Sequence, residues 1–109
     1  MQIKYLIFIT LILATFLGAY LRLANLGSNP NGLYVDEAST VYNAYSIAET
    51  GKDEYGKSYP LMFRFLGSYT PPLYTYLTAV VVKFNGLSVF SARFVSAISG
   101  ILLIPLVFI

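Results

Sequence analysis

The sequence predicts an all-α fold: polytopic membrane helices with an interfacial helical first external loop. Three observations point there. The chain opens on a long apolar run and closes on another. Only 11% of its 109 residues are charged, against 57% hydrophobic. All five acidic residues fall between the two runs. Soluble domains carry roughly 25% charged residues, and with a mean hydropathy of +0.67 this chain has too few charges to cover a surface in water. Its formal net charge of +2 is scattered, which gives no nucleic-acid footprint. Without cysteine, disulfides and thiolate chemistry are excluded. Without histidine, the usual base near neutral pH is excluded too. Acid–base chemistry falls to carboxylates, lysine or tyrosine.

Residues 1–22 hold the first predicted span. Tyr5 to Leu21 is uninterrupted by charge and as a helix is about 26 Å long, close to the ~30 Å hydrocarbon core. Lys4 and Arg22 can snorkel at its two ends. A cleaved signal peptide is the alternative, but the run exceeds the usual ~7–15-residue signal core, and Gly18-Ala19-Tyr20 is a poor cleavage site. An uncleaved anchor is expected.

Residues 23–70 form the polar external loop. Leu26-Gly27-Ser28-Asn29-Pro30-Asn31-Gly32 is dense in turn residues. Residues 36–50 then read as an interfacial helix, with Ala38, Val41, Tyr42, Tyr45 and Ala48 as one apolar stripe. Asp36 and Glu37 stand at its start and Gly51 follows its end. Gly51 to Lys57 reads as an exposed turn. Residues 71–109 are assigned to spans 2 and 3. Pro71-Pro72 opens the second, since proline is tolerated in a first helical turn, and Asn85-Gly86 closes it. The third begins near Phe94 and is still apolar at Ile109, with Pro105 as a kink. Lacking a polar flank, it reads as incomplete, and the chain as the N-terminal piece of a longer polytopic protein. No internal repeat or low-complexity tract is visible.

Orientation follows from charge. The short second connection carries Lys83 and Arg93 with no acid, and Lys4 flanks the first span on the same side. The positive-inside rule makes that side cytoplasmic. The loop carries Arg22, Lys52, Lys57 and Arg64, which counts the other way. The expectation is a multi-pass protein of the plasma (inner) membrane with its loop on the outer face.

Asp36 and Glu37 are the leading candidates for chemistry. Acids in a first helical turn also simply complement the helix dipole, so spacing leaves both readings open. Adjacent helical residues point roughly 100° apart, so the two carboxylates need not share a task. Asp53 and Glu54 read as a solvated turn. Arg64, on Leu61-Met62-Phe63-Arg64-Phe65-Leu66, could grip a phosphate bidentately or snorkel to headgroups. The ten tyrosines include Tyr69 and Tyr74 at a predicted interface, where aromatic belts form. No nucleotide-binding, Ser-His-Asp or Cys/His metal motif is present.

In order, the chain carries Leu33-Tyr34-Val35-Asp36-Glu37-Ala38, then Asn43-Ala44-Tyr45-Ser46-Ile47 and Thr50-Gly51-Lys52-Asp53-Glu54-Tyr55-Gly56. Tyr69-Thr70-Pro71-Pro72-Leu73-Tyr74 and Phe90-Ser91-Ala92-Arg93-Phe94 follow. Together these resemble the N-terminal part of the GT-C membrane glycosyltransferases, in the bacterial branch similar to protein O-mannosyltransferases and lipid A aminoarabinose transferases. The resemblance covers nearly the whole chain. It implies a large helical membrane enzyme whose first external loop folds into interfacial helices. Such an enzyme transfers a sugar, with inversion, from a polyprenyl-phosphate carrier to a glycan, lipid or protein acceptor. It implies Asp36 as catalytic base, Glu37 as the second acid orienting it, and Arg64, Tyr69 and Tyr74 as substrate-binding candidates. Related sequences often carry an acid or a lysine just before Pro-Pro for metal or carrier phosphate. Ser68, Tyr69 and Thr70 are uncharged here, so no cofactor is assigned. A divalent cation held by oxygen ligands is compatible with the residue types present but is not supported by the loop. The alternative from another class is a non-enzymatic polytopic protein, a lipid-linked sugar transporter or an assembly scaffold.

Overall fold

A computed structural model describes residues 1–109. It is mostly helical, with α1 (Gln2–Leu23), α2 (Val35–Thr50), β1 (Phe63–Phe65), β2 (Ser68–Thr70), α3 (Pro72–Asn85) and α4 (Val89–Phe108). Two compact units emerge: Met1–Asn25 with Ser96–Ile109, and Leu26–Val95.

The first unit is built from α1 and the C-terminal part of α4. Both helices are long and apolar enough to cross a membrane, at 22 and 20 residues. At ~1.5 Å per residue each approaches or exceeds the ~30 Å hydrocarbon core. The core helix of a soluble protein would be covered, yet only 6% of α1's apolar window is buried. Leu6, Leu13, Phe16 and Leu17 all face outward. Where α1 and α4 touch, the contact runs through glycines. A Cβ on Gly18 would collide with Ile104, and one on Gly100 with the Arg22 side chain. Without a hydrophobic drive between helices in lipid, small residues that permit close approach are what bring them together. Pro105 lies inside α4 without ending it.

The second unit packs α2 on α3, with the hairpin and the first turns of α4 beside them. Its core is Val41, Ala44 and Ile47 from α2, Phe63 from β1, Ala79 and Val82 from α3, and Ala92 from α4. The Phe63 and Tyr76 rings sit 5.5 Å apart, tilted by 60°, a favourable edge-biased geometry. Tyr76 also donates its hydroxyl to the Pro60 carbonyl at 2.6 Å, tying α3 to the chain before the hairpin.

Three expectations change. The fold is not all-α, because β1 and β2 pair antiparallel with Phe63 opposite Thr70, Arg64 opposite Tyr69 and Phe65 opposite Ser68. The turn is Leu66-Gly67, with φ of 44° and 79°, the sign at both central residues of a type I′ hairpin turn. The second span is also not found. α3 has 14 residues and rises only about 21 Å, short of the ~30 Å core. Its inner face carries the buried threonines 75 and 78. It belongs to the second unit, and the next apolar helix begins at Val89 rather than near Phe94. Finally, the buried stripe of α2 is Val41, Ala44 and Ile47, whereas Tyr42 and Tyr45 are exposed. Two close-packed helices favour small side chains at the seam, and bulky tyrosines are left outside.

Candidate functional site

Gly32 turns the chain at φ +76° into Tyr34, the residue preceding α2, whose backbone is extended (φ −76°, ψ 161°). The first helical bond runs from the Ala38 N–H to the Tyr34 carbonyl at 2.9 Å. Glu37 reaches back, and its Oε2 accepts the Tyr34 N–H at 3.0 Å. This satisfies one of the donors that a helix start leaves open. Asp36, one residue earlier, is exposed, and its Oδ1 accepts the Glu37 N–H at 2.9 Å.

Opposite Glu37 stands Arg93, from the second turn of α4. Its Nε donates to Glu37 Oε1 at 2.9 Å, and Nη2 donates to Glu37 Oε2 at 3.3 Å and to the Gly32 carbonyl at 2.6 Å. Nη1 donates to the carbonyls of Pro30 at 2.8 Å and Leu26 at 3.3 Å. A guanidinium has five N–H donors in a fixed fork, and here all are engaged. The pair is largely shielded, with side-chain exposures of 10% for Arg93 and 32% for Glu37. The Arg93 hydrogen bonds, helped by the Tyr34 N–H, hold the Glu37 carboxyl below its ordinary range, and partial burial opposes them only in part. Glu37 is thus an anion with both oxygens occupied. It clamps the 26–37 segment to α4 and is poorly placed to take a proton. Arg93, in turn, has no donor left for a substrate phosphate.

Of the second acidic pair, Glu54 is exposed but Asp53 does not fit a solvated turn. Asp53 is buried, and its Oδ1 accepts the N–H groups of Tyr55 at 3.0 Å and Lys57 at 2.8 Å. Glu54 meets Asn43 of α2 in a two-way contact. The Glu54 N–H donates to Asn43 Oδ1, and Asn43 Nδ2 donates to Glu54 Oε1, both at 3.1 Å. This buried asparagine pins the 51–57 loop to α2.

Of the expected substrate-binding residues, Arg64 is exposed on β1, its guanidinium 4.9 Å from the centre of the Tyr55 ring. Tyr69 is its cross-strand neighbour and borders a shallow groove of about 350 Å³ with Lys57, Pro60 and Met62. Tyr74 is half-buried and donates its hydroxyl to the Ala92 carbonyl at 2.8 Å, bracing α3 against α4. The bonds therefore sort the candidates into an Asp36–Glu37–Arg93 group at the start of α2 and an Arg64–Tyr55–Tyr69 group on the hairpin. No set of three carboxylates converges in a way that would hold a metal.

Arg93 is the residue that the sequence argument misplaced. Counted as a cytoplasmic charge opposite the loop, it instead hydrogen-bonds the loop. Any membrane the chain crosses must therefore leave Glu37 and Arg93 on the same side. The positive-inside count loses Arg93, and with α3 too short to cross it loses Lys83 as well. A usable signal was present, because an arginine at the edge of a long apolar helix calls for a named partner. No family model, no curated protein and no solved structure matches the chain.

Proposed function

We propose that this chain is the N-terminal, loop-bearing part of a membrane glycosyltransferase that uses a polyprenyl-phosphate-linked sugar, with Asp36 as general base. The observation that carries the reading is the division of labour within the acidic pair. Glu37 is locked by Arg93 and by the helix start, while Asp36, about 100° around the helix, projects from a fixed backbone into open space. With Oδ1 held by the Glu37 N–H, the exposed Asp36 carboxylate is oriented on a rigid element and keeps its second oxygen for proton abstraction from an acceptor hydroxyl. The acceptor oxygen attacks the anomeric carbon as its proton passes to Asp36. The bond from that carbon to the carrier phosphate breaks on the opposite face, and the configuration inverts. Glu37 is the positioning residue in this scheme. Arg64, the exposed guanidinium of the hairpin, is the candidate to meet the departing phosphate, and Tyr69 beside it to contact the sugar.

In the same proposal α1 and α4 are the spans of a multi-pass protein of the plasma (inner) membrane. Residues 26–95 form the first external loop, with α2 and α3 as its interfacial helices. Lys4, in the first turn of α1, supports a cytoplasmic start. The test is transfer from radiolabelled polyprenyl-phosphate sugars to glycan, lipid and peptide acceptors by the full-length protein in vesicles. Transfer that falls roughly 10²–10⁴-fold in Asp36→Asn, the usual contribution of a positioned base, with carrier binding retained, supports the reading. A protein that moves intact carrier-linked sugar across the bilayer, or transfers none of the panel, overturns it in favour of a transporter or scaffold.

A further inference from the structure

We infer that the β1–β2 hairpin is a membrane-surface anchor, its tip set just beneath the lipid headgroups and its flanking cations on lipid phosphates. Neither conformation nor burial within the chain accounts for the residue at the tip. Leu66 holds a left-handed backbone (φ 44°), where glycine or asparagine is the unstrained choice, and its side chain is 80% exposed. Leu61, ahead of β1, is 82% exposed, with Met62 and Tyr69 also open to the outside. On β1 only Phe63 turns into the core. A water-facing turn would be built from polar residues, whereas this one concentrates apolar side chains around a strained leucine.

The charge pattern names the occupant. From Tyr55 to Pro71 the chain carries two cations, Lys57 and Arg64, and no carboxylate. Arg64 points away from the core, its guanidinium steadied over the Tyr55 ring, and Lys57 borders the groove shared with Tyr69. Apolar tip, tyrosines and basic flank follow the profile of a bilayer interface: leucine below the headgroups, aromatic rings at their level, cations at the phosphates. A bilayer is at hand wherever α1 and α4 cross one. The inference stands without the transferase reading. If both hold, the anchor sets Arg64 in the layer where a carrier phosphate lies.

These 109 residues hold no cysteine, so single-cysteine probes require only that cysteines elsewhere in the full-length protein be replaced. Full-length protein bearing an environment-sensitive fluorophore at Leu66→Cys, or separately at Leu61→Cys, is reconstituted into phosphatidylglycerol–phosphatidylcholine vesicles. Lys52→Cys, in the exposed 51–57 turn, serves as the water-facing reference. Relative to Lys52, the probes at 66 and 61 should emit at shorter wavelength. They should be quenched several-fold more by lipids spin-labelled near the headgroup and several-fold less by aqueous iodide. Lipid quenching at 66 should fall when Lys57 and Arg64 are both changed to glutamine. Iodide quenching at 66 and 61 equal to that at 52 overturns the inference, as does shielding from both iodide and spin-labelled lipid, which would mean that protein covers the hairpin.

Discussion

At the scale of single residues, the chain separates two carboxylates that its sequence makes look alike. Glu37 is spent on Arg93 and the start of α2, so Glu37→Gln should act through structure: a lower melting temperature for the 26–95 unit and activity that tracks the folded fraction. Arg93→Gln leaves Glu37 and three carbonyls short of donors. It should lower the melting temperature of the 26–95 unit, because charge-assisted bonds are lost and their acceptors are left short of donors. The pH dependence carries the same signature. Because the folded state depresses the Glu37 pKa below 4.5, its contribution is complete above that value and is lost as pH falls through the folded one. Melting temperature should therefore drop on the acid side, and Glu37→Gln should flatten that limb. An unchanged limb would show that the clasp does not form. Asp53 should also matter to folding. Asp53→Ala strips the acceptor from two part-buried N–H groups and should cost about 1–3 kcal/mol, read by chemical or thermal unfolding. In the sequence Asp53 looked like a surface charge between glycines, because nothing local reveals that its carboxylate faces back onto the chain.

At the scale of elements, what was legible followed length and punctuation. α1 was visible because no charge interrupts Tyr5 to Leu21. α2 was visible because acids open it and Gly51 closes it, and Gly51 does adopt the left-handed conformation (φ 71°) with the Tyr59 ring packed against its Cα. Gly51→Ala should cost about 1–2 kcal/mol from the backbone alone, more if Tyr59 cannot retreat, measurable as a loss of thermal stability. The face of α2 was not legible. A tyrosine counts as apolar in a pattern, yet its size excludes it from a seam where Ala44 and Ala79 let two helices approach. α3 was misread for a related reason. An apolar run opened by Pro-Pro looks the same whether it faces lipid or a neighbouring helix, and only its 14-residue length argues against a span. The hairpin escaped because three-residue strands are shorter than any alternation test can resolve.

At the scale of the whole molecule, the account rests on one claim: residues 26–95 are a single folded unit on one side of the membrane, entered from α1 and left through α4. The Arg93 clasp supports it, since its hydrogen bonds join Leu26 to the second turn of α4. The earlier expectation, with α3 as a span, puts the two ends of α3 on opposite sides and forbids the clasp. The absence of cysteine from these 109 residues, with any elsewhere in the full-length protein replaced, lets the two be separated by labelling. Single cysteines at Glu49 and Asn85, both exposed, and at Gln2 are tested in intact cells with a membrane-impermeant thiol reagent. The account predicts that Glu49→Cys and Asn85→Cys label together and Gln2→Cys does not. If Asn85→Cys is instead protected along with Gln2→Cys while Glu49→Cys reacts, α3 crosses the membrane and the single-sided unit is wrong.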